Sequence, residues 1–532
     1  MNSSSVIFSH LSFAWPDGHF VLDDVSVSFT EGRTGLIGAN GSGKTTVLRL
    51  IAGDLVPVSG TLTVTGDVCH LPQTIAYSPT ATLADLLGAR EKIEALRAIE
   101  SGSTDPAHFD ALADDWQIET RIDRLFHDYG LAYITSMDLD RPVRTLSGGE
   151  AMVLAIAGCR LSNAPITLLD EPTNNLDSVL RESVVQMVRA WPGTLILVSH
   201  DIDLLEEMDT TAELYGHTLT LVAGPYSVWD QARTQEQAAA VNAEKAAEAT
   251  LRTARQQQIA TTQREAKNLV RGKKKALKEG IEKGARDKMR GTAEAAAARS
   301  LTTAESRVDT ARRALDEASQ RVRDDEHIRI DLPDPGVHAS RTILELTWAD
   351  QCFIMKGPER VALTGRNGVG KTSLIEQTLG LSDPRGAVLG QLSTARVGYL
   401  PQRLDTLDEN ANAIDNVLVK APSATPADVR ARLARMLLRG DSVFRPVSTL
   451  SGGERFRVSL AQLLFADPPA QLLILDEPTN NLDHDSVNHL VEALSTYRGA
   501  ILVVSHDARF LARLGVSIRL TLSETGLSVN RI

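Results

Sequence analysis

Two stretches of this chain combine residue types and spacings suited to holding phosphate. GANGSGKT (38–45) and GRNGVGKT (365–372) both fit Gly-x4-Gly-Lys-Thr. Glycine at Gly38, Gly41 and Gly43, and at Gly365, Gly368 and Gly370, lets the backbone turn tightly so that successive N–H groups face one anion. Lys44 and Lys371 add charge for β- and γ-phosphates, and the Thr45 and Thr372 hydroxyls suit Mg²⁺. Asn40, Ser42 and Thr46 complete the first cradle, and Asn367, Val369 and Ser373 the second. The cofactors expected are therefore ATP and Mg²⁺.

Carboxylates recur at matching places. DEPTNNLD occupies 170–177 and again 476–483, each time after a short apolar run, ITLL or LLIL. That puts the acids at the carboxyl end of a buried strand, where open α/β sheets bind ligands. Asp170 and Asp476 are candidates for Mg²⁺, and Glu171 and Glu477 for polarising an attacking water. His200 and His506 follow apolar strands and stand at one fixed offset from the acids, as γ-phosphate sensors would; a satisfied strand-end histidine is the plainer reading. Gln73 and Gln402, both in LPQ, can reach Mg²⁺ or the water. Trp15 is either an adenine-stacking ring or a core aromatic.

LSGGE appears at 146–150 and 450–454. Ser147 with Glu150, and Ser451 with Glu454, match an ordinary helix capping box. Capping has no need of Gly148, Gly149, Gly452 and Gly453, which leave bare N–H groups at a helix start and so make a second anion site. Each copy already owns a phosphate loop, so the extra site is expected to serve the other copy's γ-phosphate.

Four motifs recurring in one order imply a duplicated α/β fold: two tandem phosphate-loop domains, 1–230 and 336–532. Residues 231–335 between them differ in kind. From Gln231 to His327 there is no proline or aromatic residue, and Ala, Glu, Gln, Arg and Lys dominate. High helix propensity with little to bury predicts an antiparallel helical hairpin with arms near 232–268 and 292–326, turning at Gly272, Gly280, Gly284 and Gly291. Between Arg264 and Arg290 lie eleven Lys or Arg against four Asp or Glu, in a chain of net charge −12. The run RGKKKALK, with Arg271, Lys273, Lys274, Lys275 and Lys278, is either a solvated face or an attachment to RNA backbone.

The three cysteines, Cys69, Cys159 and Cys352, form no CxxC pair, which fits a reducing compartment. The N-terminus lacks the features of a signal peptide, and no apolar run nears the roughly 20 residues of a membrane span. A cytoplasmic protein is expected.

These motifs resemble those of the ATP-binding cassette superfamily, and the tandem layout resembles its ABC-F branch over nearly the whole chain. The resemblance implies a monomeric ATPase that closes intramolecularly and acts on the ribosome, its linker reaching tRNA and ribosomal RNA near the peptidyl-transferase centre. It pairs Gly38–Thr45, Asp170, Glu171 and His200 with Ser451–Glu454 in one site. Gly365–Thr372, Asp476, Glu477 and His506 pair with Ser147–Glu150 in the other. Val153 departs from the family's arginine, which Arg457 keeps; Asn175 and Asn481 stand where many members have histidine; the second cassette offers no adenine-stacking aromatic. These departures predict unequal sites. The expected function is ribosome protection against exit-tunnel or peptidyl-transferase-centre antibiotics. Housekeeping translation factor, exporter ATPase subunit and DNA-repair ATPase are the alternatives.

Overall fold

The computed structural model describes residues 4–532 apart from 76, 77, 79, 175, 279–282, 323–331, 385, 403–405, 439 and 481. The chain divides into two units, Met1–Tyr226 with Glu326–Ile532, and Ser227–Asp325.

In the first unit each half is built on a six-stranded sheet. In the N-terminal half the strand order is Val68–Leu71, Ile166–Asp170, Thr194–Val198, Gly32–Ile37, Thr210–Tyr215 and Thr218–Ala223. Every neighbouring pair is parallel except the last. The C-terminal half repeats this with Val397–Leu400, Leu472–Asp476, Ala500–Val504, Arg360–Thr364, Ile518–Ser523 and Gly526–Arg531. Strands Ile166–Asp170 and Leu472–Asp476 are buried at every residue, which is why they read as unbroken apolar runs rather than alternating ones. A three-stranded antiparallel sheet accompanies each large one, with Ser5–Ala14 and Thr342–Trp348 as the central strands.

This topology positions the chemistry. Four neighbouring parallel strands point their carboxyl ends the same way, and the segments that follow them carry Gln73, Asp170 with Glu171, His200, and the phosphate loop. The second half does the same with Gln402, Asp476 with Glu477, His506 and its own loop. Residues far apart in sequence thus meet at one edge of each sheet.

The second unit holds helices longer than expected. They run Tyr226–Lys278 and Lys283–Ser319, 53 and 37 residues, or roughly 80 and 55 Å at 1.5 Å per residue. Gly272, Gly284 and Gly291 lie inside these helices rather than in a turn, and Gly280 lies outside the described residues. Each internal glycine costs about 1 kcal/mol, which the surrounding Lys, Arg and Ala offset. Less exposed positions recur every three or four residues along both helices, through Ala240, Ala247, Leu251 and Ala254 on one and Ala304, Val308, Ala311 and Leu315 on the other. That period is a coiled-coil seam, and its small residues allow close approach. Ser319 Oγ donates to Glu244 Oε1 at 2.7 Å, which fixes the pairing as antiparallel.

Candidate active site

Gly43 and Gly370 open helices Lys44–Ala52 and Lys371–Thr378 with φ of 105° and 99°, a region costly for any residue with a Cβ. On Gly43 that Cβ would also meet Val21 Cγ1 at 2.1 Å. The lysines that follow are buried and turn back over their own loops. Lys44 Nζ donates to the carbonyls of Gly38 at 2.7 Å and Ala39 at 3.1 Å; Lys371 Nζ donates to those of Gly365 at 2.8 Å and Arg366 at 3.3 Å. Burial lowers both pKa values against the opposing pull of Glu171 and Glu477. Thr45 Oγ1 donates to Asp170 Oδ2 at 2.7 Å and Thr372 Oγ1 to Asp476 Oδ2 at 2.8 Å, so each loop is tied to the strand that carries its acids.

Glu171 and Glu477 have a backbone conformation that no sequence signal announced. Both lie in the left-handed region, with φ of 50° and 47°, and strain of this kind collects at functional sites. Their N–H groups donate to Val198 O and Val504 O at 2.9 Å, which anchors the turn one residue past each strand. Glu171 Oε1 then stands 3.3 Å from His200 Nε2, and Glu477 Oε1 3.5 Å from His506 Nε2. Burial pushes both glutamates up to about 7. Burial, reinforced by the neighbouring lysine, pushes His200 down to about 3 and His506 to about 4. The histidines are therefore neutral at pH 7, and each glutamate is poised where a proton acceptor works best.

The two groups are not identical. His200 Nε2 lies 3.1 Å from Asn40 Oδ1, whereas His506 Nε2 lies 3.1 Å from Lys371 Nζ. The first loop is also held from across the molecule. Asn40 N donates to Asp483 Oδ2 at 2.7 Å, while Asp483 Oδ1 caps Ser486 N at 2.9 Å at the start of helix His484–Ser495. One carboxylate thus clamps the first phosphate loop to the second half. A cavity of about 480 Å³ is lined by Lys371, Thr372 and His506 from one half and Asn174, Leu176 and His200 from the other.

Ser147 and Ser451 cap helices Gly148–Ser162 and Gly452–Leu464, and both capping boxes form, with Glu150 Oε2 and Glu454 Oε2 accepting from the serine N–H at 2.7 and 2.9 Å. Within the described residues these serines bond inside their own motif rather than to the opposite loop. Tyr133, which donates to Glu150, feels the charge of Arg366 in the second loop. Trp15 is half-buried in the turn after Ser5–Ala14, edge-on to Phe13 at 5.3 Å between ring centres. Gln73 and Gln402 are exposed at their strand ends, and Gln402 lines the cavity. Val153 is fully buried, while the buried Nε of half-buried Arg457 has no hydrogen-bond partner. Asn175 and Asn481 lie outside the described residues.

A family model described as "ABC transporter" matches residues 22–174 and 351–480, that is, both halves. The tylosin resistance ATP-binding protein TlrC of Streptomyces fradiae is 30% identical over 533 residues, covering 93% of this chain and 94% of the relative. The chain belongs to the ABC-F branch of the ATP-binding cassette family. Mouse ATP-binding cassette sub-family F member 3 is 27% identical over 90% of this chain and 66% of its own length. Among solved structures, the model of ribosome-bound archaeal Pelota and ABCE1 has a TM-score of 0.56 at 18% identity, covering 96% of this chain and 76% of that one. A likeness at that identity speaks for the fold alone.

As an ABC-F protein the chain is an ATPase. Mg²⁺ fits the residues present. Asp476 Oδ1 is buried without a hydrogen-bond partner, and threonine and aspartate oxygens are the ligands a hard cation takes. Thr45 with Asp170, and Thr372 with Asp476, would hold it. Among the described residues no group of three or more His, Cys, Asp or Glu could hold a metal alone, so phosphate and water oxygens would complete the shell. Bound Mg²⁺ supplies charge neutralisation at the β- and γ-phosphates.

The raised glutamates carry a stability signature. An unfolded glutamate ionises near 4.5 but these do so near 7, so the cost of their buried charge accumulates as pH rises between those values. Nucleotide-free protein with Glu171→Gln and Glu477→Gln should melt at the parent's temperature below pH 4.5 and several degrees above it at pH 8. Thermal unfolding at both pH values checks this, and a pH-independent difference would mean that the carboxyls ionise normally.

Proposed function

We propose that this ATPase binds the ribosome in its ATP-loaded, closed form and protects it against antibiotics of the exit tunnel or peptidyl-transferase centre, its hairpin contacting tRNA and ribosomal RNA. The observation that carries this reading is the basic end of the hairpin. Arg264, Lys267, Arg271 and Lys274 fall on the last turns of helix Tyr226–Lys278, and Lys283, Arg286, Lys288 and Arg290 on the first turns of its partner. With no aromatic residue there, contact goes to backbone phosphates rather than stacked bases. Two similar proteins support it: the tylosin resistance protein, covered almost end to end, and ribosome-bound ABCE1, which shares the fold. No helix among the described residues is long and apolar enough to cross a membrane. The Asn40–Asp483 clamp supports closure within one chain, and a cytoplasmic monomer is part of the proposal.

Co-sedimentation with ribosomes and ATP tests the reading. Replacing Lys273, Lys274 and Lys275 by glutamine should weaken ribosome binding, lower the slope of log affinity against log salt by roughly 2, and leave basal ATPase unchanged. An equal loss of ATPase would make the hairpin end structural. Unchanged ribosome binding and salt slope would remove RNA backbone as its target.

A further inference from the structure

Five charged side chains cross between the cassettes beside the two histidine loops. Arg181, on helix Ser178–Arg189, bonds both oxygens of Asp201 and reaches Asp203 Oδ2 at 3.0 Å. Asp203 Oδ1 in turn accepts from Arg509 Nε at 3.0 Å, from the other cassette. Arg181 and Asp201 are largely buried, and Asp203 and Arg509 are half-exposed. Burial opposes the charge of Arg181, but Asp201, Asp203 and then Asp507 raise its pKa. One guanidinium therefore lies in the field of both aspartates that follow the histidines, Asp201 after His200 and Asp507 after His506.

The pairing has a symmetry meaning. The step in sequence that relates Asp170 to Asp476 and His200 to His506 also relates Asp203 to Arg509. A residue that touches its own counterpart lies on the pseudo-twofold axis between the halves. In an assembly of identical halves such a position meets itself, so two first cassettes would face Asp203 with Asp203, and two second cassettes Arg509 with Arg509. Only the mixed pairing is attractive. The segments around it agree: Asp203, Glu206 and Glu207 on the first side stand where Arg509, Ala512 and Arg513 stand on the second. At the counterpart of Arg181 there is Val487, which lines the same cavity, so this arginine has no twin.

We propose that Asp203 and Arg509 form an electrostatic key on the pseudo-twofold axis that specifies pairing of the first cassette with the second, and that Arg181 joins this key to both histidine loops so that the two ATP sites close together. The key goes beyond the ribosome reading and acts in the ATPase cycle itself. A half-exposed pair attracts weakly and is screened by salt; reversing one partner replaces that attraction with repulsion at a point closure cannot avoid.

The test is steady-state ATPase of the full chain, without ribosomes, against ATP and KCl concentration. Asp203→Arg and Arg509→Asp should each raise the KM for ATP roughly fivefold at low salt and less at high salt. Arg181 also touches Asp203, so the reversals are compared in an Arg181→Leu background. There the double reversal should return to that background's value, and the neutral pair Asp203→Asn with Arg509→Gln should fall between them without salt dependence. A double reversal as impaired as either single, or a single reversal at the background's KM, overturns the key. Where a single reversal does not fold, the double reversal must have a lower KM than the neutral pair at low salt, and equality overturns it equally. For the link, Arg181→Leu in a Glu171→Gln and in a Glu477→Gln background should reduce the remaining site's rate by similar factors, with Arg181→Lys restoring part of both. A loss confined to one site overturns the link.

Discussion

Replacing Glu171 and Glu477 together by glutamine should leave ATP bound and lower its hydrolysis by roughly 10²–10⁴-fold. Both carboxyls are buried at a left-handed turn beyond the strand that carries the paired aspartate, within 3.3 and 3.5 Å of a histidine nitrogen. Burial brings them to about 7, a value at which a carboxylate is present at neutral pH and still takes a proton. The amide keeps the shape and removes that capacity. It also removes a negative charge beside Lys44 and Lys371, so affinity for ATP should hold or rise. Trapped in the loaded state, the doubly substituted protein should remain on ribosomes and inhibit growth. Single-turnover measurement of phosphate release is the check. Hydrolysis within tenfold of the parent would take both glutamates out of the chemistry.

The sequence revealed most about what lies at strand ends. Phosphate loop, acid pair and histidine each follow an apolar run, and a parallel sheet brings the carboxyl ends of neighbouring strands together, so their order along the chain was enough to assemble them. Backbone conformation was not legible. Glu171 and Glu477 adopt φ values usually left to glycine, and nothing in DEPTNNLD distinguishes that from an ordinary strand end. Asp483 closes the same motif and reads as a helix cap, which it is; that its second oxygen grips Asn40 N depends on how the halves meet. LSGGE likewise forms the ordinary capping box its spacing describes, so the anion-binding role rests on its glycines alone. In the linker, the glycines predict a turn, but long runs of helix formers carry the helices through three of them. Asp203 and Arg509 gave no local signal, because only the duplication, read together with the contact, shows that they are counterparts.

Removing the phosphate-loop lysines should have a second large effect, measured in binding rather than turnover. Lys44→Ala or Lys371→Ala should each weaken ATP at its own site by roughly 10–100-fold, the range expected for losing a charged hydrogen bond, and the double substitution should abolish measurable binding. Each lysine is buried over carbonyls of its own loop, so its chain is already ordered and its charge already desolvated before phosphate arrives. Such preorganisation is lost whole on truncation. The two sites should nevertheless differ in a second readout. Lys371 Nζ lies 3.1 Å from His506 Nε2, whereas Lys44 acts on His200 through its charge, and His200 bonds Asn40. Burial is the larger cause of both depressed histidine pKa values and the lysine the next. Each alanine substitution should therefore raise the matching histidine towards its ordinary value without reaching it. Only Lys371→Ala should also free a ring nitrogen from a direct contact. Nucleotide titration followed by fluorescence, with histidine ring resonances recorded over pH, separates these effects. If affinity stays at the parent value in either single variant, that loop does not hold the phosphate by its lysine. If His506 keeps its low pKa without Lys371, burial alone accounts for it.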